Sequence, residues 1–177
     1  MRTIRLFATL TAVAVLLGTW AGTALAQQQF QLVTGKAFDS AVPKDFYVEG
    51  NAIPTEKRNA TLVLLPSGKR ALFAPIDTTG YASDVAAKYV GMIITEGEVS
   101  ICGQKVGVGS YGFGWVRPPR GEEGAGTFKL YDQAGVRLVE CSSARDADLK
   151  QPRPMQVTAK QDGTARLYFG RHSVELK

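Results

Sequence analysis

The chain has 177 residues, with 21 Lys and Arg against 16 Asp and Glu and a net charge of +5. An excess this small favours solubility and is not the footprint of a nucleic-acid binder. One histidine and two cysteines leave too few ligands for a zinc centre, so no metal is expected.

Residues 1–26 have the pattern of a secretory leader. Met1–Arg5 carries two arginines, Leu6–Leu17 is apolar apart from two threonines, and Ala24-Leu25-Ala26 is a small-x-small cleavage site. The apolar run is shorter than the roughly 20 residues of a membrane-crossing helix. Cleavage after Ala26 leaves 177 less 26, or 151 residues, the size of one domain with its own core. Losing Arg2 and Arg5 brings the net charge to +3. Residues 27–177 are therefore expected to form a single β-rich domain, exported to a periplasmic or extracellular location, with no transmembrane segment.

Strands are predicted at 46–51, 60–65 and 70–76. The run Leu62-Val63-Leu64-Leu65 lacks polar alternation, the pattern of a strand covered on both faces. Asn59-Ala60-Thr61 matches the N-glycosylation acceptor, which matters only in a host that glycosylates. One short helix is predicted near 82–90. Val85 and Tyr89 are four apart there, as are Ala86 and Val90, and Gly91 follows as a stop. A strand is predicted at 98–102. In an exported chain the pair Cys102 and Cys141 predicts one disulfide.

Residues 107–112 read Gly-Val-Gly-Ser-Tyr-Gly, the spacing of a dinucleotide fingerprint. That chemistry needs a helix opening at the last glycine, whose N-terminus receives the pyrophosphate. The residues that follow, Phe113-Gly114-Trp115-Val116-Arg117-Pro118-Pro119, are poor helix material. No cofactor is expected. Val108 stands where a nucleophile elbow needs glycine. In a strand, Tyr111, Phe113 and Trp115 share one face, and Gly112 and Gly114 the other. One role for this stretch is core, the bare glycine face admitting a close backbone or ring. The other is an aromatic platform for a small ligand such as a sugar, which makes Tyr111, Phe113 and Trp115 the candidate ligand-binding residues. Val106 and Val108 have the opposite parity, so an extra residue at Gly107 or Gly109 is expected to bulge the strand.

Arg117–Gly124, with two prolines and two glycines, is predicted as an exposed loop. Phe128 and Leu130 alternate, then Val136 and Leu138, and a Gln133-Ala134-Gly135 loop would set Leu130 opposite Leu138. Polar residues 142–154 are predicted to cross between sheets or edges. Residues 155–159, 164–169 and 172–176 all alternate. A Gly170-Arg171 turn places Phe169 opposite His172, Leu167 opposite Val174 and Ala165 opposite Leu176. A three-residue Gln161-Asp162-Gly163 loop, with Gly163 left-handed, places Val157 opposite Leu167 and Ala159 opposite Ala165.

These elements predict an all-β, mainly antiparallel sandwich or barrel of eight or nine short strands with one short helix. No local pattern marks a catalytic residue. His172 falls on an apolar alternating face near a turn. The basic pairs Lys57-Arg58, Lys69-Arg70 and Arg117 with Arg120 read as solvated loop charges. So do the carboxylate pairs Glu96/Glu98, Glu122/Glu123 and Asp146/Asp148. The leading expectation is a non-enzymatic exported binding or envelope-associated domain, partner unknown and no nucleic acid. The alternatives are a sugar- or lipid-binding domain using the aromatic face and a secreted hydrolase using His172.

Overall fold

The computed structural model describes residues 29–119 and 124–177. The expected leader lies outside them, as do residues 120–123 of the predicted loop. Two antiparallel sheets pack face to face. The first has seven strands in the order β1 (Gln31–Val33), β4 (Thr61–Leu64), β5 (Arg70–Pro75), β6 (Gly91–Thr95), β9 (Gly109–Val116), β10 (Thr127–Tyr131) and β11 (Arg137–Ser142). The second runs β13 (Arg153–Ala159), β14 (Ala165–Gly170), β15 (His172–Leu176), β7 (Val99–Ile101) and β8 (Gln104–Val106), with β12 (Ala144–Arg145) beside β15. A hairpin of β2 (Asp45–Val48) and β3 (Asn51–Pro54), with helices α1 (Lys36–Ala41) and α2 (Ser83–Lys88), covers the outer face of the seven-stranded sheet.

The fold class is the predicted one, an all-β antiparallel sandwich. It has more strands than eight or nine because several are only two to four residues long, too short to display a period. The helix predicted near 82–90 is α2, which spans Ser83–Lys88 and so ends two residues early; Gly91, predicted as its stop, begins β6.

The main core lies between the sheets and includes Phe73, Ile93, Phe113, Phe128, Leu130, Leu167, Phe169 and Leu176. A second cluster, with Phe46, Ile53, Leu62, Leu72, Val85, Tyr89 and Met92, fills the layer between the seven-stranded sheet and its outer cover. Leu62 and Leu72 face outward and Val63 and Phe73 inward, so β4 and β5 are covered on both sides, as the unbroken apolar run predicts.

The C-terminal registers form as expected. Phe169 faces His172, Leu167 faces Val174 and Ala165 faces Leu176. Val157 faces Leu167 and Ala159 faces Ala165, with Gly163 at φ +83°. The segment after Ser142 leaves β11 in one sheet and reaches β13 in the other, the predicted crossover.

One register differs. Leu130 faces Val139, not Leu138, because a bulge after Leu130 pairs Tyr131 with Arg137 and leaves Leu138 unmatched. One extra residue inverts the face of everything beyond it. Val139 is therefore buried and Leu138 is half exposed. The valine parity resolves differently too. Val106 ends β8 in one sheet and Gly109 begins β9 in the other, so the chain changes sheet at 107–109 rather than bulging within one ribbon. Val106 is buried and Val108 is exposed.

Candidate functional site

Strand β9 is the longest among the described residues and lies between β6 and β10. Tyr111, Phe113 and Trp115 all point to the inter-sheet core. The opposite glycines receive the outer layer. A Cβ on Gly112 would lie 2.6 Å from the Tyr89 ring, and one on Gly114 would overlap the Lys88 carbonyl. Lys88 itself bridges Glu49 and the Gly135 carbonyl and sits over the rings of Tyr89 and Tyr131. Burial pushes the Tyr89 phenol up to about 12, and its hydroxyl lies 3.1 Å from Glu49 Oε1.

The three candidate rings have different surroundings. Phe113 is fully buried against Phe128 and Phe169. Tyr111 is partly buried, its hydroxyl donating to the Gly107 carbonyl at 3.0 Å. Trp115 alone of the three reaches an open cleft of about 480 Å³ at the end of the sandwich. It stacks on Phe169, centroids 5.0 Å apart and planes 13° from parallel, with His172 at 5.5 Å. Pro118, Pro152 and Pro154 add apolar walls.

Three arginines from separate segments surround this floor: Arg117 after β9, Arg153 opening β13, and Arg171 in the β14–β15 turn. Among the described residues, no carboxylate lines the cleft. Arg117 and Arg153 are exposed and engage no acceptor among the described residues. The Arg171 Nη1 donates to the carbonyls of Ala147 (2.9 Å) and Leu149 (2.7 Å), which fixes the fork in place at the rim. One-sided charge over a low-dielectric wall focuses potential on the opening. In the sequence Arg117 reads as a solvated loop charge, and Arg153 and Arg171 do not stand out. Nothing in their local sequence marks them, because the cluster exists only once β9, β13 and the β14–β15 turn meet.

His172 lines the same cleft, with Nδ1 at 3.4 Å from Ser143 Oγ. A serine beside a histidine invites a hydrolase reading. Ser143 is buried, however, and its hydroxyl donates to the Gly126 carbonyl and accepts from the Gly126 N–H, each at 3.1 Å. The pair ties β12 and β15 to the chain before β10. Burial, then the positive charge of Arg145, lowers the His172 pKa below its ordinary 6.5. A folded-state value below the unfolded one means stability is held above pH 6.5 and lost as pH falls through the folded value. Thermal melts between pH 8 and pH 5 are expected to fall with acidification, and more shallowly in His172→Gln.

Cys102 and Cys141 lie at disulfide distance, Cα atoms 6.3 Å apart, joining the β7–β8 turn to β11. Among the described residues, no group of three or more His, Cys, Asp or Glu is placed to hold a metal ion, and no helix is long and apolar enough to cross a membrane. No family model, curated protein or solved structure matches the chain.

Proposed function

We propose that this is an exported, non-enzymatic binding domain whose cleft takes a small anionic ligand with a flat apolar face, an acidic sugar being the best fit. The observation that carries this reading is the convergence of Arg117, Arg153 and Arg171 on the Trp115–Phe169 stack, with no carboxylate among the described residues of the lining. The planar guanidinium fork matches a carboxylate bidentately, and a tryptophan rim beside proline walls suits a sugar ring face. The volume falls within the range of roughly 300–1,000 Å³ typical of small-molecule sites. Export is supported by the leader pattern of residues 1–26 and by the disulfide geometry. A binding rather than catalytic role is supported by the burial and full engagement of Ser143 beside His172.

Galacturonate and glucuronate are expected to raise the melting temperature and to quench Trp115 fluorescence, and glucose is not. Arg117→Ala, at an exposed position, should weaken acid binding by about tenfold, the loss of one charge-assisted contact, with the melting temperature of the free protein unchanged. Equal response to the neutral sugar would overturn the reading. So would turnover in a hydrolase panel that His172→Ala abolishes.

A further inference from the structure

The cleft does not end at Arg153. A depression of about 220 Å³ shares Trp115, Arg117, Pro154 and Phe169 with it and reaches Asn59. A third, of about 410 Å³, shares Arg153 and continues past Arg58 and Lys57 to β1. Together they make one seam along the open side of the sandwich, between the free edge of β13 in one sheet and the 3-10 turn Lys57–Asn59 beside β1 and β4 in the other. Neither edge strand has a further partner in its sheet, and Pro154 removes a ladder donor from β13, which discourages addition of a peptide strand there.

The charge of the seam is mainly positive among the described residues. Arg171, Arg117, Arg153 and Arg58 follow one another along it. Elsewhere Arg70, Lys105, Arg137 and Lys177 each pair with a glutamate, while the exposed Lys36, Lys44 and Lys150 are single charges scattered along the chain. Arg58, Arg117 and Arg153 pair with none among the described residues. Lys57 pairs with Asp39, and Glu56 is the one carboxylate on the seam among the described residues. Four arginines lining adjoining depressions, against a single carboxylate among the described residues, mark a track for repeated negative charge.

We infer that the seam binds an extended acidic glycan, a chain of several uronate residues whose end or inner unit occupies the Trp115 cleft. The inference rests on the acidic-sugar reading of that cleft and adds the track beyond it. A polysaccharide fits better than a nucleic acid because single-stranded nucleic acids stack successive bases on several rings. Among the described residues the seam offers no run of open rings: Trp115 is half-buried, Phe113 and Phe169 are buried, and Phe38, in the third depression, has Lys57 over its ring.

Isothermal titration of the purified protein with galacturonate and its linear oligomers up to six residues tests this. Affinity is expected to rise at least about tenfold from monomer to hexamer and to fall with added salt. Arg58→Ala should weaken the hexamer by about tenfold and leave the monomer within twofold. Arg117→Ala should weaken both. Arg58 is exposed, so the folded state is retained, which circular dichroism checks. A hexamer that binds no tighter than the monomer overturns the track and leaves the cleft reading standing. Failure of every acid, monomer included, overturns both. A single-stranded oligonucleotide that outcompetes the hexamer and loses affinity in Arg58→Ala overturns the glycan assignment.

Discussion

Replacing Cys102 and Cys141 together by serine is expected to cost about 4 kcal/mol of stability and to lower the melting temperature by roughly 10 °C. The bond closes a loop of sequence separation 39, and loop-closure entropy removed from the unfolded chain grows with that length. Its position adds to the effect. Cys102 sits at the tip of the β7–β8 hairpin in one sheet, and Cys141 lies in β11, the edge strand of the other. Backbone hydrogen bonds do not join the two sheets there. Cys102 also has φ +55°, beside Gly103 at +77°, the two left-handed positions of a tight hairpin turn that usually takes Asn-Gly. A non-glycine residue there costs of order 1 kcal/mol. Cys102→Gly should therefore lose the cross-link but recover part of that strain, and melt above the double serine variant. Intact-mass measurement with reductant and alkylation checks that the bond is present. A wild-type melting curve unaffected by reductant would remove the claim.

What the sequence reveals of this molecule depends on where its information lies. The C-terminal hairpins are readable because alternation and turn length constrain each other. With Gly170 and Gly163 at the turns, one pairing alone keeps Leu167, Val174 and Val157 on the same face. The β10–β11 pair fails by the same logic. The alternation of Val136 and Leu138 is real in the sequence, but a bulge opposite Leu130 hands the core position to Val139. Nothing local distinguishes a bulged from an unbulged ladder when both frames contain apolar residues. The outer layer is hidden for another reason. Strands of three or four residues, such as β1 and β3, and the six-residue α1 hold together through contacts with β4 and the second core cluster rather than through a period of their own.

The candidate site divides in the same way. Trp115 was legible as part of an alternating aromatic strand, and Phe169 and His172 as residues of an apolar face. Their meeting in one cleft was not, since it depends on the two sheets facing each other at the β9 and β14 ends. The arginines are the least legible part. Each sits beside proline or glycine, in contexts identical to ordinary solvated loops, and becomes informative only when the described residues across the Trp115 cleft prove to include no carboxylate.

Gly114→Val is expected to destabilise the fold by about 2–3 kcal/mol, the cost of forcing atoms into a packed interior, while Gly107→Ala stays within about 0.5 kcal/mol of wild type. The two glycines belong to one glycine-rich stretch and look equivalent in sequence. At Gly107 an added Cβ meets nothing within 4 Å. At Gly114 it would occupy the space of the Lys88 carbonyl, and backbone cannot rotate away as a side-chain tip can. The helix end carrying Lys88 is held by Glu49, by the Gly135 carbonyl and by Tyr89, whose ring fills the bare face of Gly112. Relief would require moving α2 off β9, which would expose Tyr89 and Val85, now buried. The consequence reaches the cleft, because Gly114 immediately precedes Trp115 and pairs with Lys129 in β10. Shifting β9 toward the core would press Trp115 against Phe169 and Phe113 against Phe128. Urea unfolding of both variants reads the difference directly. Equal stabilities would mean that the outer layer yields freely, and that the glycines of β9 are not there to seat it.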